Sequence, residues 1–150
     1  MTTQRDIHVP AINPAQIKGP SREIFAAMGE ANIERMLEDF YLELGRGSPA
    51  LRALFPPDLV AASRKSAAFF IGLLGGPPRY HERYGNPMMR ARHMPFAIDE
   101  SLRDEWLACF NRVLDDAPAR YGFPVEHLAA FREFLAGFSM WMVNTAPPAG

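Results

Sequence analysis

The sequence predicts an all-α protein, and three observations carry that prediction. Apolar residues recur at three- and four-residue steps through four long segments. No segment carries the two-residue alternation of a half-buried strand, and no internal repeat is visible. Glycine and proline clusters fall between the periodic segments, where a helix must stop or turn. A chain of 150 residues suits one domain and buries about 68–70% of its extended surface. It is 48% apolar and 22% charged, with a formal net charge of −1. Such a balance argues against generalised binding to nucleic acid or to a membrane surface. Cys109 is the single cysteine, so there is no disulfide framework, no CxxC and no CxxCH. With no apolar run near eighteen residues and no secretory leader, a cytoplasmic protein is expected.

In chain order, residues 1–20 are polar and punctuated by proline, and are expected to form a loosely ordered extension. The folded domain is assigned to residues 21–145 and a tail to 146–150. Ser21 is a good cap for a short helix over 22–28 that Gly29 stops or bends. A second helix over 30–44 carries Ile33, Met36, Leu37, Phe40, Tyr41 and Leu44 as one stripe. A turn of helix over 50–54 leads to Phe55-Pro56-Pro57. Asp58 then opens a third helix reaching about residue 74, with Leu59, Ala62, Ser66, Phe69, Phe70 and Leu73 on its expected inner face. Asp99 caps a fourth helix over 100–116, where Glu100 and Asp104 favour the dipole and Leu102, Trp106, Cys109, Phe110 and Val113 form the stripe. Pro118 breaks it. The last helix, over 125–144, has Leu128, Phe131, Leu135, Phe138 and Met142 on one face. Phe134 and Trp141 widen that face, which predicts burial on two sides.

Residues 75–96, GGPPRYHERYGNPMMRARHMPF, stand apart from this pattern. Gly75-Gly76-Pro77-Pro78 forbids a continuing helix. Arg79, His81, Arg83, Arg90 and Arg92 then form a local basic patch, suited to a few phosphates or carboxylates. Pro87 can start a helix and Pro95 must soon end it, so His93 falls in the last turn of a helix little more than one turn long. A histidine so placed, with Met94 and Phe96 just after it, fits a metal ligand. It fits equally a helix-terminal histidine favoured by the dipole.

Other chemistries are poorly served. There is no GxSxG elbow, and Cys109 on an apolar helix face reads as a small hydrophobe. HExxH is absent, His81 and His93 are too far apart for a one-helix zinc site, and Gly75-Gly76 follows no strand. Tyr41 and Trp106 each lie in an apolar stripe with a donor that needs a partner once buried. They read either as core aromatics bonded to backbone carbonyls or as donors in a site. The Ser66 hydroxyl has a similar bland reading, a bond to the carbonyl one turn back.

Taken together, these residues resemble the truncated haemoglobins, most closely the second group. The resemblance spans about residues 24–144. It rests on the Gly-Gly-Pro after the third helix, Tyr80, Gly85-Asn86-Pro87, the string RARHMPF ending at Phe96, and RDEWLAC ending at Cys109. It implies a globin-like two-over-two helical sandwich around a non-covalent b-type haem, with His93 as the proximal iron ligand. It implies that Tyr41 and Trp106 donate hydrogen bonds to a ligand on the iron and assist peroxide heterolysis. Phe55, Ala62 and Ser66 complete the distal face, while Lys65, Arg92 and Tyr80 hold the propionates and Phe69, Met94 and Phe96 pack on the haem. The expected ligands are dioxygen, NO, CO or peroxide. Redox chemistry with an unidentified reductase is favoured over oxygen transport, and a homodimer is one expected option for assembly. The alternative is a haem-based sensor or interaction module that uses the amino-terminal extension. The sequence departs from the family pattern at Ala62, where many globins have a distal histidine, at Ser66, usually apolar, at the lone Gly29, and in its long extension.

Overall fold

Each reversal of the chain falls where a glycine, a proline or a capping side chain removes the helical option. The computed structural model describes residues 7–146. Helix α1 (Ile24–Met28) stops at Gly29, whose φ of 82° a side chain would disfavour, and the same glycine opens α2 (Glu30–Gly45). Ser48 caps α3 (Pro49–Arg52) by accepting from the Leu51 N–H at 3.2 Å. Asp58 caps α4 (Leu59–Leu73) through the Ala61 N–H at 3.0 Å. After α5 (Arg79–Tyr84) and α6 (Met89–His93), Asp99 caps α7 (Glu100–Asp115) through the Leu102 N–H at 2.9 Å. Helices α8 (Ala117–Tyr121) and α9 (Leu128–Met142) complete the series. Among the described residues there is no strand, and no helix is long and apolar enough to cross a membrane.

The long helices match their expected spans to within a few residues. Two short ones were not anticipated. Arg79–Tyr84 is helical directly after Pro77-Pro78, and Pro118 opens α8 because a proline in a first turn sacrifices no internal hydrogen bond. The last helix begins later than expected, with Val125–His127 forming a separate 3₁₀ turn.

Helix α2 packs chiefly on α4 and α7 on α9, and contacts between α2 and α7 join the two pairs into a two-over-two sandwich. Its centre is aromatic. Phe40 stacks on Phe110 with ring centroids 4.1 Å apart, and Phe70, Trp106 and Phe131 pack around Phe110 at 5.6–5.9 Å. The inner face of α4 differs from the expected one. Its buried residues are Ser63, Ala67, Ala68, Phe70 and Ile71, whereas Ala62, Ser66 and Phe69 line a cavity. Small residues at the closest helix approach carry little weight in a hydrophobic pattern, which explains the displaced reading. Ser63 satisfies its hydroxyl by donating to the Val60 carbonyl at 2.6 Å.

The Gly75-Gly76 turn has a steric reason. Gly75 has φ +106°, and a Cβ there would stand 1.8 Å from the Arg22 carbonyl oxygen. This close approach lets the Phe25 N–H donate to the Leu74 carbonyl at 2.9 Å, tying α1 to the end of α4.

The amino-terminal segment, expected to be loosely ordered, forms a strap along α9 from residue 7 onward. Pro10 and Pro20 are buried, Asn13 caps a short 3₁₀ turn over Pro14–Gln16, and Ile12 and Ile17 lie within van der Waals distance of where a Gly137 Cβ would stand. A few apolar contacts suffice here because backbone hydrogen bonds accompany them: the His8 N–H donates to the Asn144 carbonyl at 2.9 Å. The strap supplies the second covered side of α9. The start of the extension (residues 1–6) and most of the tail (147–150) lie outside the described residues.

Candidate cofactor site

A cavity of about 400 Å³ is lined by residues of α4, α7 and α6, together with Tyr41 of α2. Its size is that of a small-molecule or cofactor site. Helix α4 contributes Ala62, Lys65, Ser66 and Phe69, since positions 62, 65–66 and 69 recur on one side of a helix. Trp106 enters from α7, Phe55 from the segment after α3, Tyr80 from α5, and Arg92, His93 and Phe96 from α6 and its exit. The expected residues are thus brought together with one exception. Met94 does not line the cavity; its sulfur lies 4.0 Å from the Asn144 side-chain amide. At the end of a helix of five residues, successive side chains diverge, so His93 and Phe96 face the cavity and Met94 does not.

His93 Nδ1 lies 2.6 Å from the carbonyl of Met89, four residues earlier. A carbonyl can only accept, so Nδ1 carries the proton and Nε2 is left with a free lone pair on a ring that lines the cavity. Such a bond to the second nitrogen is the usual way a metal-binding imidazole is oriented. Among the described residues, no group of three or more His, Cys, Asp or Glu side chains is placed to hold a bare ion. A single histidine suits a metal that brings its own other ligands.

Tyr41 lies deep in the fold yet lines the same cavity as His93. Burial pushes its phenol pKa up, and a hydrogen bond with Ser66 offsets this in part. The bond lowers the phenol pKa, so Ser66 acts as donor to the Tyr41 oxygen and leaves the Tyr41 O–H for another acceptor; the local backbone bond belongs to Ser63, not Ser66. Phe55 meets the Tyr41 ring edge-on at 5.5 Å. Trp106 is wedged against Phe40 and Phe110 at 5.3 and 5.6 Å. Among the described residues, its indole N–H has no protein acceptor. A half-buried donor left open at a cavity wall is an argument for a ligand there.

One end of the cavity is cationic. Lys65 Nζ sits 5.1 Å from the Tyr84 ring and 6.0 Å from the Tyr80 ring, and no carboxylate among the described residues pairs with it. Arg92 stacks on Tyr80 at 5.3 Å. Its Nε donates to the Pro87 carbonyl at 2.7 Å and its Nη2 to the carbonyls of Tyr84 and Asn86, both at 2.9 Å. Arg92 therefore also pins the loop between α5 and α6, a task its basic-patch reading did not include. Arg103 was missed altogether. It lines the cavity three residues before Trp106, while its Nε donates to Ser139 Oγ at 3.0 Å and its Nη2 to the Ala136 carbonyl at 2.8 Å. The spacing to Trp106 was the available signal.

A largely apolar cavity with cationic side chains, one oriented imidazole and the donors of Tyr41 and Trp106 on its wall fits a flat apolar cofactor with an acidic edge and a metal of its own. Within a two-over-two frame, that combination defines a globin-type protein. Residues 23–143 match the family model for the bacterial-like globins. The group 2 truncated hemoglobin YjbI of Bacillus subtilis is 40% identical over 113 residues, covering 75% of this chain and 79% of that protein. The crystal structure of the group II truncated hemoglobin from Bacillus anthracis matches with a TM-score of 0.73 and 38% identity, over 84% of this chain and 94% of that one. Phosphate-bound Hell's gate globin IV matches with a TM-score of 0.79 and 31% identity, over 99% of this chain and 88% of that one. The chain belongs to the bacterial-like globin family and is a two-over-two, group II-like member. Membership implies haem-based ligand binding.

Proposed function

We propose that residues 21–145 form a cytoplasmic globin unit that holds a b-type haem through His93 and binds dioxygen and related diatomic ligands beside Tyr41 and Trp106. The observation that carries this reading is the commitment of His93 Nδ1 to the Met89 carbonyl, which presents Nε2 as a ligand. When bound, haem supplies an iron centre able to take up a diatomic ligand and to change oxidation state. With no CxxCH motif, retention falls to His93, to apolar contacts from Phe69 and Phe96, and to Lys65 and Arg92 at the acidic edge.

Tyr41 and Trp106 bring two donors to one largely apolar cavity, where hydrogen bonds to developing negative charge are strengthened. Ser66 acts as donor to the Tyr41 oxygen, which leaves the Tyr41 O–H for a ligand. Ala62 adds no bulk at the cavity wall. Two donors favour slow ligand release, which suits NO, peroxide or other redox chemistry more than oxygen carriage. Turnover would draw electrons from a separate reductase. Tyr41→Phe combined with Trp106→Phe is expected to accelerate dioxygen release at least about tenfold, since each lost hydrogen bond is worth about 1 kcal/mol. Unchanged release in stopped-flow measurements removes both residues from the mechanism.

A second reading, a haem-based sensor, is favoured by one observation: the amino-terminal strap is bonded to the end of α9 directly beside the α6 segment.

A further inference from the structure

Behind His93 the chain is held by hydrogen bonds more than by packing. Asn144 is fully buried, and all its polar atoms are used. Its Nδ2 donates to the carbonyls of His93 and Phe96 at 3.2 and 2.9 Å. Its Oδ1 accepts from the Ile98 N–H at 3.0 Å and from the Thr145 hydroxyl at 2.9 Å. Its backbone N–H donates to the Ile98 carbonyl, and its own carbonyl accepts from His8, both at 2.9 Å. Arg90 lies three residues before His93 on the same short helix. It stacks on Trp141 at 4.7 Å, gives Nη1 to the carbonyls of Trp141 and Val143 at 2.7 and 2.9 Å, and gives Nη2 to the His8 carbonyl at 3.1 Å. His8 is thus gripped from both sides, and the bonds close a ring: strap, Asn144, the segment after His93, α6, Arg90, strap.

We propose that Arg90 and Asn144 are positioning residues for His93, and that the docked strap stabilises that position. The claim rests on the haem reading for its consequence at the iron. Helix α6 cannot hold itself in place. It has five residues, far fewer than an isolated helix needs, and it is entered through Met88 at φ 38°, which costs energy in a residue other than glycine. The carbonyls at its end have no partner within the helix; the one belonging to His93 accepts from the Phe96 N–H at 3.0 Å and from Asn144 Nδ2 at 3.2 Å. Arg90 does the same for the last carbonyls of α9. A shift of the strap is therefore transmitted through one side chain, Arg90, and one backbone carbonyl, Asn144 O, to the element that carries the ligand.

Asn144→Ala would strand several buried groups and is prone to unfold, so the test uses Arg90→Gln and His8→Pro in the full chain, loaded with haem. His8→Pro deletes the N–H bonded to the Asn144 carbonyl, and Arg90→Gln removes the guanidinium bonds to Trp141, Val143 and His8. Amide exchange at Phe96 and Ile98 should rise about fivefold in His8→Pro and about tenfold or more in Arg90→Gln, as expected for one and for several lost hydrogen bonds. In the ferrous protein, the iron–histidine stretching band in resonance Raman should shift or broaden in the same order. A purely structural role for the clamp would change stability but leave that band in place. An unchanged band in both variants, with normal haem uptake, overturns the positioning claim and leaves the haem reading intact. A wild type that takes up no haem overturns both.

Discussion

On the Tyr41 side of the cavity, the walls belong to the aromatic core, with Phe40, Phe110, Phe70 and Phe131 in mutual ring contact behind Tyr41 and Trp106. On the His93 side the wall is a five-residue helix between loops, tied by arginine and asparagine side chains to backbone carbonyls. The difference teaches a division of labour. Packing fixes the donors rigidly, because a core of interlocked rings tolerates little displacement. Hydrogen bonds fix the histidine, and such bonds are each worth little and can be exchanged one at a time. Under the proposed function, the side that would polarise a ligand is stiff, and the side that would hold the metal is adjustable.

That contrast can be broken most forcefully at Phe110. Phe110→Ala should cost about 3–5 kcal/mol of global stability, read from denaturant midpoints, because the cavity it leaves touches both helix pairs. A loss below about 1 kcal/mol would mean that the aromatic centre is not the frame. Tyr41→Phe with Trp106→Phe should instead leave stability within about 1 kcal/mol while changing dioxygen release about tenfold or more. Comparable losses in both quantities would erase the distinction between donors and packing. Asp58→Ala should cost about 1 kcal/mol through the lost cap of α4, without altering the absorption spectrum of the loaded protein.

The smallest effect is a pH dependence. Tyr121 is buried and its hydroxyl donates to Asp39. Burial first, then the hydrogen bond and charge of Asp39, hold its phenol well above the usual range. The fold favours the neutral form, so this contribution is complete below about pH 10 and is lost as the pH rises above that value. Tyr41 shifts in the same direction. Tyr121→Phe should therefore lose stability less steeply than the wild type above about pH 10, with a residual slope from Tyr41. An identical slope in urea titrations at rising pH would remove Tyr121 from the linkage.

Much of this architecture was legible because helix periodicity and capping are local. Asp58 and Asp99 cap where expected, and His93 ends its short helix as Pro87 and Pro95 require. The gathering of Tyr41, Ser66, Trp106 and His93 around one cavity came from resemblance, since no local pattern brings residues so far apart in sequence together. Contacts decided by tertiary geometry were not legible. Ser63 and Ala67 are small enough to disappear from a hydrophobic stripe, Arg103 entered only as the first residue of the RDEWLAC string, and Asn144 sat in what read as the end of the last helix. The strap was missed because its few apolar residues have no period, and its docking depends on carbonyls at the end of α9.

The most direct test is the visible absorption spectrum of the purified protein beside His93→Ala, each mixed with haem, reduced with dithionite and then exposed to CO. The account predicts a haem band in the wild type that shifts on reduction and again with CO, and a band weakened or altered in His93→Ala. A wild type that stays colourless with added haem, or a His93→Ala spectrum identical to it, would contradict the assignment of this cavity and this histidine.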